Sequence, residues 1–583
     1  MLYKELVKVY EALESTSSRL EMTNILAELF RSSDCAHLRR IVYLTQGALL
    51  PDFYPEKLGL ADKLYLRTLV MATGAKESEI RQLWAKEGDP GIVTEKAFQG
   101  KRQTTLFSSL LTLDRVYDSL LKIARSEGSG SQELKMRLLA DLLHDATPVE
   151  AKYLARIATS RMRLGVATQT VLDSLVQAFA SKADKAAVER AFNVTSDLGL
   201  VGEVLCTEGL DGLNRLHVTV GNPLRAMLAE RLPSPEEILE RMGGRAMFEY
   251  KYDGLRVQAH IDGDRVKLYS RRLEDLTGGF PDVVDALRKA FQGRSAILEG
   301  ECVPVDINTG ELLPFQEVSH RRGRKHGITT AMEDYPVRVH LFDCLYLDGE
   351  DMTELPLPDR RTALTRCINI ADDVRLSEAR VLDNVHDVEE FFTEALTAGC
   401  EGLMAKSIND DSVYRAGARG FLWIKYKREY RSEMTDTVDL VAVGAFHGRG
   451  KRGGLYGALL MATYNSETDR FETVTKLGSG FDDATLAALP ERLDHYRMPQ
   501  KHPRVDSRMN ADVWFEPAVV LEVLGAELSL SPIHTCAFGK VREDAGLAIR
   551  FPRFTGMFRD DKEPRDATSS QELLSMYQVQ RKK

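Results

Sequence analysis

Cysteine is scarce: seven residues in 583, and no two form a C-x-x-C pair. That removes the usual spacing of a structural zinc module. Cys35, Cys206, Cys302, Cys344, Cys367, Cys400 and Cys536 lie far apart in the chain. Their scatter is the pattern of reduced intracellular thiols. Long apolar runs are also missing. None approaches the roughly 18 residues that a membrane span needs, so no membrane partner is expected. The opening Met-Leu-Tyr-Lys-Glu-Leu-Val-Lys mixes charges into its apolar residues and is no secretory signal. An intracellular place, in cytoplasm or nucleoid, follows as the expectation. An excess of basic charge is absent too, with a net charge of -9. That excludes a protein basic all over, but not a local basic stripe set against phosphates. Internal repeats and low-complexity tracts are missing. What is present is a 43% hydrophobic chain, long enough for three or four packed domains.

Residues 1–220 are poor in glycine and proline and read as helical. Leu2, Leu6, Val9 and Leu13 step by four, three and four, which places them on one helical face. Ser15-Thr16-Ser17-Ser18 breaks that pattern and supplies a capping hydroxyl for the next helix. Near residue 220 the texture changes. Gly221-Asn222-Pro223-Leu224 signals a turn, and Ser234-Pro235 signals a helix start. Short β-branched or alternating runs follow at 246–250, 257–261, 266–269, 296–299 and 337–346, separated by Asp-Gly and Gly-Asp turns. They predict an α+β domain over 221–429. From 430 to 583 strand-like runs dominate again, at 439–446, 458–464 and 519–524, and a small β-barrel is expected.

The segment that carries chemistry is Glu249-Tyr250-Lys251-Tyr252-Asp253-Gly254-Leu255-Arg256. A strand runs into an Asp-Gly turn with a lysine at its end and an arginine just beyond. Alone, K-x-D-G is short enough to arise by chance as a surface hairpin. Here it is followed in order by Ser270-Arg271-Arg272-Leu273-Glu274-Asp275, Leu298-Glu299-Gly300-Glu301 and Leu341-Phe342-Asp343. Then come Glu401-Gly402-Leu403-Met404-Ala405-Lys406, Trp423-Ile424-Lys425-Tyr426-Lys427, Phe551-Pro552-Arg553-Phe554 and Arg559-Asp560-Asp561-Lys562. The set resembles the covalent nucleotidyltransferases. Its E-Y-K-Y-D-G-x-R form resembles the ATP-dependent DNA ligases of archaea and eukaryotes.

The resemblance implies an all-α DNA-binding domain, an α+β nucleotidyltransferase (adenylation) domain and an OB-fold barrel. It implies an enzyme that uses ATP and a hard divalent cation such as Mg2+ to seal nicks in duplex DNA, in replication, repair and recombination. Lys251 would attack the α-phosphate of ATP and carry AMP. A lysine amine is nucleophilic only when deprotonated, and neighbouring cations and desolvation favour that form. Glu249, Arg256, Arg271, Glu301, Phe342, Arg419, Lys425, Lys427 and Lys562 would bind ATP. Arginine suits phosphate because its fork is bidentate, and phenylalanine offers a flat face to a purine. Lys562 would orient the leaving pyrophosphate. Glu301 and Glu401 are hard oxygen donors suited to Mg2+. Read without the other motifs, Phe342 is a core residue, and Glu299 and Glu301 are ordinary strand residues.

Two basic segments suit a DNA backbone. Lys152 and Arg156 are four apart on a helical face, with Arg161 and Arg163 close behind. Gly448-Arg449-Gly450-Lys451-Arg452-Gly453-Gly454 is a glycine-rich loop with three cations. Neither reads bases, so binding is expected to follow salt and nick geometry. Gln103-Thr104-Thr105-Leu106-Phe107 resembles the short sliding-clamp motif of archaeal ligases, with Gln103, Leu106 and Phe107 as the contacts. The same residues also fit the capped start of an amphipathic helix. Three departures stand out: Ala405 where valine is usual, a longer connection at 555–558, and no glycine in 430–436. An mRNA guanylyltransferase is disfavoured by the long helical region and by Arg550 to Phe554. An NAD-dependent ligase is disfavoured by the missing zinc module, and a silent nick-binding protein by the intact Lys251.

Overall fold

The computed structural model describes residues 1–58, 60–99, 109–305, 312, 313, 315, 318, 321, 324, 327–427, 437–448, 455–525, 527–550 and 552–582. The chain divides into two compact units, Met1–Tyr426 and Lys427–Lys583. No described helix is long and apolar enough to cross a membrane.

The first unit begins with twelve described α-helices between Tyr3 and Asn214. The helix Tyr3–Glu14 buries Tyr3, Leu6, Val7, Tyr10 and Leu13. Leu2 and Val9, expected in this stripe, are only half-buried. The tyrosines turn the face, because large rings gain most from burial. The Tyr10 ring sits 5.3 Å from that of Tyr153. The Ser18 hydroxyl accepts a bond from the Glu21 amide at 3.4 Å and caps helix Arg19–Ser32.

One expectation is overturned here. Cys35, at the start of helix Cys35–Thr45, is disulfide-bonded to Cys206 in helix Leu198–Asn214, with Cα atoms 5.6 Å apart. The bond joins residues 171 apart in sequence, and no local spacing announces such a pair. The free cysteines are Cys302, Cys344, Cys367, Cys400 and Cys536, all buried.

The same unit continues into two sheets. The first, in the order β1-β11-β10-β2-β9, holds β1 (Leu228–Arg231), β2 (Ala246–Lys251), β9 (Ala379–Leu382), β10 (Gly402–Lys406) and β11 (Arg419–Lys427). The second, in the order β4-β3-β5-β6-β7 with β8 beside β6, holds β3 (Leu255–Asp262), β4 (Arg265–Ser270), β5 (Ser295–Pro304), β6 (Val337–Leu347), β7 (Glu350–Asp351) and β8 (Val374–Leu376). β2 lies in the first sheet and β3 in the second, so the Asp253-Gly254 turn carries the chain from one to the other. Helix Pro235–Arg241 starts on the Ser234 cap and Pro235, as the sequence suggests.

The second unit is β-rich, as expected for its barrel. It contains β12 (Val438–His447), β13 (Tyr456–Asn465), β14 (Arg470–Leu477), β15 (Arg497–Met498), β16 (Val505–Asp506), β17 (Val513–Phe515), β18 (Val520–Leu524), β19 (Glu527–Ser531), β20 (Gly546–Arg550) and β21 (Arg553–Phe558). β12 changes partner along its length on one side. Val438 to Val441 pair with β18, and Gly444 and Ala445 with β17, while β13 lines the other side. A strand that serves two neighbours in succession is how a small sheet curls towards closure. Leu440, Ala442, Leu459, Met461 and Phe515 fill its inner face.

Candidate active site

Lys251 ends β2, and its register partner on β10 is Gly402. Glu401 therefore abuts it. The Glu401 amide donates to the Lys251 carbonyl at 2.8 Å, and the Lys251 ammonium donates to the Glu401 carboxylate. Both side chains are largely buried. Beyond them, the Asp253 carboxylate accepts from the Phe315 amide at 3.2 Å. Gly254 is required by a close approach. A Cβ there would lie 2.5 Å from the Cys302 carbonyl oxygen and 2.9 Å from Glu301 Cγ. The glycine of the K-x-D-G segment thus lets β5 run against the turn that follows the lysine.

On β3, Arg256 stands opposite Glu301 of β5, and Gln258 opposite Glu299. Arg256 Nη2 donates to Glu299 Oε2 at 2.7 Å, and Nη1 to the Met227 carbonyl at 3.0 Å. Its buried Nε has no partner among the described residues. Glu299 also accepts from Tyr414 at 2.9 Å and from Gln258 at 3.3 Å. Read from the sequence as an ordinary strand residue, it is a buried hub that sets the arginine's position. The segment 221–227 is strapped to the same strand. Gly221 donates to His260 at 2.9 Å and Leu224 to Gln258 at 2.8 Å, while Met227 donates to Tyr414 at 2.9 Å. Burial pushes the Glu301 carboxyl up to about 7. Lys251 and Arg256 oppose that rise, and Glu401 and Asp253 add to it.

Phe342 is aimed by a β-bulge. Glu299 pairs with Asp343 and the next residue, Gly300, pairs with Leu341, so Phe342 has no partner on β5. Such an extra residue bends its strand and redirects its side chain. The ring is half-buried. The Lys406 ammonium lies 4.6 Å and the Arg256 guanidinium 5.4 Å from its centroid, and Trp423 meets it edge-on at 6.1 Å. Next to it, Asp343 is fully buried in a two-pronged ion pair with Arg360, at 2.8 and 3.0 Å.

Glu249, expected to touch ATP, is buried against Lys406 at 2.7 Å and Arg361 at 3.4 Å. Burial lowers the Lys406 pKa against the pull of Glu249. Arg271 lies just past β4 with its side chain only partly desolvated, and that desolvation and the charges of Arg256 and Arg419 lower its pKa. Arg419 begins β11, and Lys425 and Lys427 lie near its end, half-buried. The structure therefore gathers Lys251, Arg256, Glu301, Glu401 and Phe342 around the crossing from β2 to β3. The Arg256 and Arg419 charges bear on Arg271 from nearby. Lys562 belongs to the second unit, where its ammonium donates to Asp439 at 2.6 Å.

The helix expected to face the DNA backbone spends its cations largely on internal ion pairs. Arg156 is buried, bonded to Glu14 at 3.0 Å and to Asp89 at 3.3 Å. Lys152 also pairs with Glu14, at 2.7 Å. Arg156 is an internal strut because helix Pro148–Ala158 packs against helix Pro90–Gln99. A Cβ on Gly91 would sit 2.7 Å from Arg156 Nε. Arg161 and Arg163 are partly exposed, each with one carboxylate neighbour, Asp62 and Asp89. Their loop holds Ser160 and Arg163 at positive φ, which is costly for residues with a side chain, and Gly165 at positive φ, which is not. The clamp-like residues Gln103, Leu106 and Phe107, the loop cations Arg449, Lys451 and Arg452, and the segment 430–436 lie outside the described residues.

Sequence reasoning missed Gln258, Tyr414, Arg360, Arg361 and Asp439. One signal was available. Arg256, Gln258 and His260 alternate along an otherwise apolar strand, and polar residues at every second position of a buried strand must meet polar partners.

A family profile described as ATP dependent DNA ligase domain matches residues 226–427. DNA ligase N terminus matches 2–176, and ATP dependent DNA ligase C terminal region matches 452–562. The chain is 52% identical to DNA ligase 2 of Thermofilum pendens, over all of this chain and 98% of that one. It is 49% identical to the DNA ligase of Pyrobaculum calidifontis, covering 100% and 99%. With the DNA ligase of Sulfophobococcus zilligii the identity is 48%, covering 99% and 97%. Among solved structures, Pmar-Lig_Pre matches with a TM-score of 0.55 at 16% identity, over 95% of this chain and 99% of that one. At that identity the match speaks for the fold.

Proposed function

This chain belongs to the ATP-dependent DNA ligase family, and from that membership we propose that it seals nicks in duplex DNA with Lys251 as the residue that carries AMP. The observation that carries the reading is Lys251, held by Glu401 at the end of β2, with Arg256, Glu301 and Phe342 around the same turn. Phe342 offers the adenine a flat face. The unpartnered Nε of Arg256 is a donor for the ribose and phosphate side. Arg271, Arg419, Lys425 and Lys427 add positive charge for phosphate oxygens. Glu249 acts from below, by holding Lys406 under the Phe342 ring.

In the first step Lys251 Nζ gives up a proton, through its hydrogen bond to Glu401 and on to solvent, and attacks the α-phosphorus. An N–P bond forms, the α–β P–O bond breaks, and pyrophosphate leaves with the electron pair. AMP then passes to the 5′-phosphate of a nick, and the 3′-hydroxyl expels it as the phosphodiester forms. Lys562 binds the leaving pyrophosphate. Glu301 and Glu401 fit a hard divalent cation such as Mg2+, because two carboxylates that repel one another gain from a shared dication. When bound, that ion neutralises charge on the phosphates. Lys152, Arg161 and Arg163 serve the DNA backbone, with Arg156 holding the helix that carries Lys152, and the loop cations Arg449, Lys451 and Arg452 do the same from the barrel domain. The domains run over 1–220, 221–429 and 430–583. Gln103, Leu106 and Phe107 dock on a sliding clamp, and the protein works inside the cell.

Labelling with α-labelled ATP, GTP or NAD tests the reading. ATP should label the wild type, and Lys251→Ala should take no label yet still seal a pre-adenylated nick in part. A labelled adduct of normal yield on the alanine variant would sink the assignment.

A further inference from the structure

The barrel contains a charge cluster of which the proposed function uses only Lys562. Asp439, the second residue of β12, is buried. Arg559 Nη1 donates to its two carboxylate oxygens at 3.0 and 2.8 Å, and Lys562 Nζ donates to Oδ2 at 2.6 Å. Arg559 is occupied on its other edge as well. Its Nε and Nη2 donate to Asp561 at 2.9 and 2.8 Å. Its backbone amide donates to the Val520 carbonyl at 2.9 Å. The Asp439 backbone is fixed at both ends. Its amide donates to the Thr568 hydroxyl at 2.9 Å, and its carbonyl accepts from the Thr568 amide at 2.8 Å.

The two cations are thus differently placed. Arg559 spends its fork on two carboxylates and is a strut. Lys562 gives one of its three N–H donors to Asp439, and the remaining two point away from a fixed oxygen. A lysine on a free four-carbon stem samples many rotamers, and binding an anion with it costs the entropy of choosing one. Here the choice is already made by a carboxylate that the strand, Thr568 and Arg559 all hold still.

We propose that Asp439 is a positioning residue, which presets the Lys562 ammonium for the pyrophosphate end of the nucleotide. This rests on the assignment of Lys562 to pyrophosphate. Asp439 touches neither nucleotide nor DNA in this role and acts only through Lys562.

The test uses full-length enzyme carrying labelled AMP on Lys251, chased with inorganic pyrophosphate. In that reversal a pyrophosphate oxygen attacks the AMP phosphorus, the P–N bond breaks, ATP re-forms and the lysine regains its proton. Asp439→Asn keeps the shape and the backbone bonds. It should slow both self-adenylation and reversal about tenfold, the worth of a weakened charged hydrogen bond. Sealing of a pre-adenylated nick should change by less than about twofold, since that step uses no pyrophosphate. In a Lys562→Ala background, Asp439→Asn should add nothing further. The inference is overturned if Asp439→Asn matches wild type while Lys562→Ala is slow, or if the two losses multiply. It is also overturned if all steps fall together, because Asp439 is then an anchor of the barrel. If Lys562→Ala itself leaves adenylation and reversal untouched, the underlying assignment fails, and that result is distinct from the others.

Discussion

Replacing Arg360 by methionine should unfold the region around the nucleotide pocket well before it changes any chemistry. Arg360 and Asp343 are both fully buried. The arginine donates twice to Asp343, at 2.8 and 3.0 Å, and to the carbonyls of Leu355 and Ser412 at 2.6 and 2.9 Å. Methionine fills much of the space and leaves the carboxylate with one hydrogen-bond donor among the described residues, the Cys344 amide at 2.9 Å. A buried charge stripped of its partner costs about 3–5 kcal/mol. A domain of about 200 residues unfolds with an entropy of about 0.4 kcal/mol per kelvin. The transition that includes residues 226–427 should therefore fall by about 7–12 °C in differential scanning calorimetry of the full chain. Asp343→Leu combined with Arg360→Met should recover most of the loss, because both charges are then gone. A single variant melting within about 2 °C of wild type would show that water or another group reaches Asp343, and the argument for a dry buttress beside Phe342 would fail.

Three further outcomes follow. Glu14 is raised by burial, but bonds from Arg156, Lys152 and Tyr153 outweigh this and hold its carboxyl down at about 2. Its contribution is full above its ordinary value of 4.5 and is lost as pH falls through about 2. Glu14→Gln should be less stable at neutral pH and lose less stability across that acid window in urea titrations. The Cys35–Cys206 bond closes a 171-residue separation, for which chain entropy sets a stabilisation of about 5 kcal/mol. Cys35→Ser should lower the melting temperature of the helical region, and reductant should do the same to wild type. Identical melting curves with and without reductant would refute this. Arg163→Ala should reduce the slope of log affinity for nicked DNA against log salt by about one. Arg156→Met should leave that slope alone and lower stability. An unchanged slope for Arg163→Ala would remove it from the DNA surface.

The elements were legible because their signals are local. Alternation marked β3 and β6, hydroxyls marked the helix starts at Ser18 and Ser234, and a lysine before Asp-Gly marked the turn between sheets. The site was legible as a set of residue types, since phosphate chemistry needs cations, carboxylates and a flat ring. What stayed hidden was partnership. Lys152 and Arg156 do share a helix face, but Glu14 from the first helix and Asp89 from the loop before helix Pro90–Gln99 come to cover it. Cys35 and Cys206 meet only once two helices pack. Phe342 reads as a core residue until the bulge opposite Glu299 and Gly300 turns it. Long-range partners decide which charged residue holds the fold and which meets a ligand. Arg360 and Arg559 have their forks taken up by carboxylates and carbonyls and are struts, as is Arg156, although its Nη1 is buried without a partner among the described residues. Arg256 keeps a buried Nε without a partner, and Lys562 keeps donors beyond its bond to Asp439. The partly exposed Lys562 ammonium is open to water, but a buried donor that the protein itself leaves unused is costly to maintain. Its retention beside a phosphate-type motif therefore says more about function than the motif's charge does.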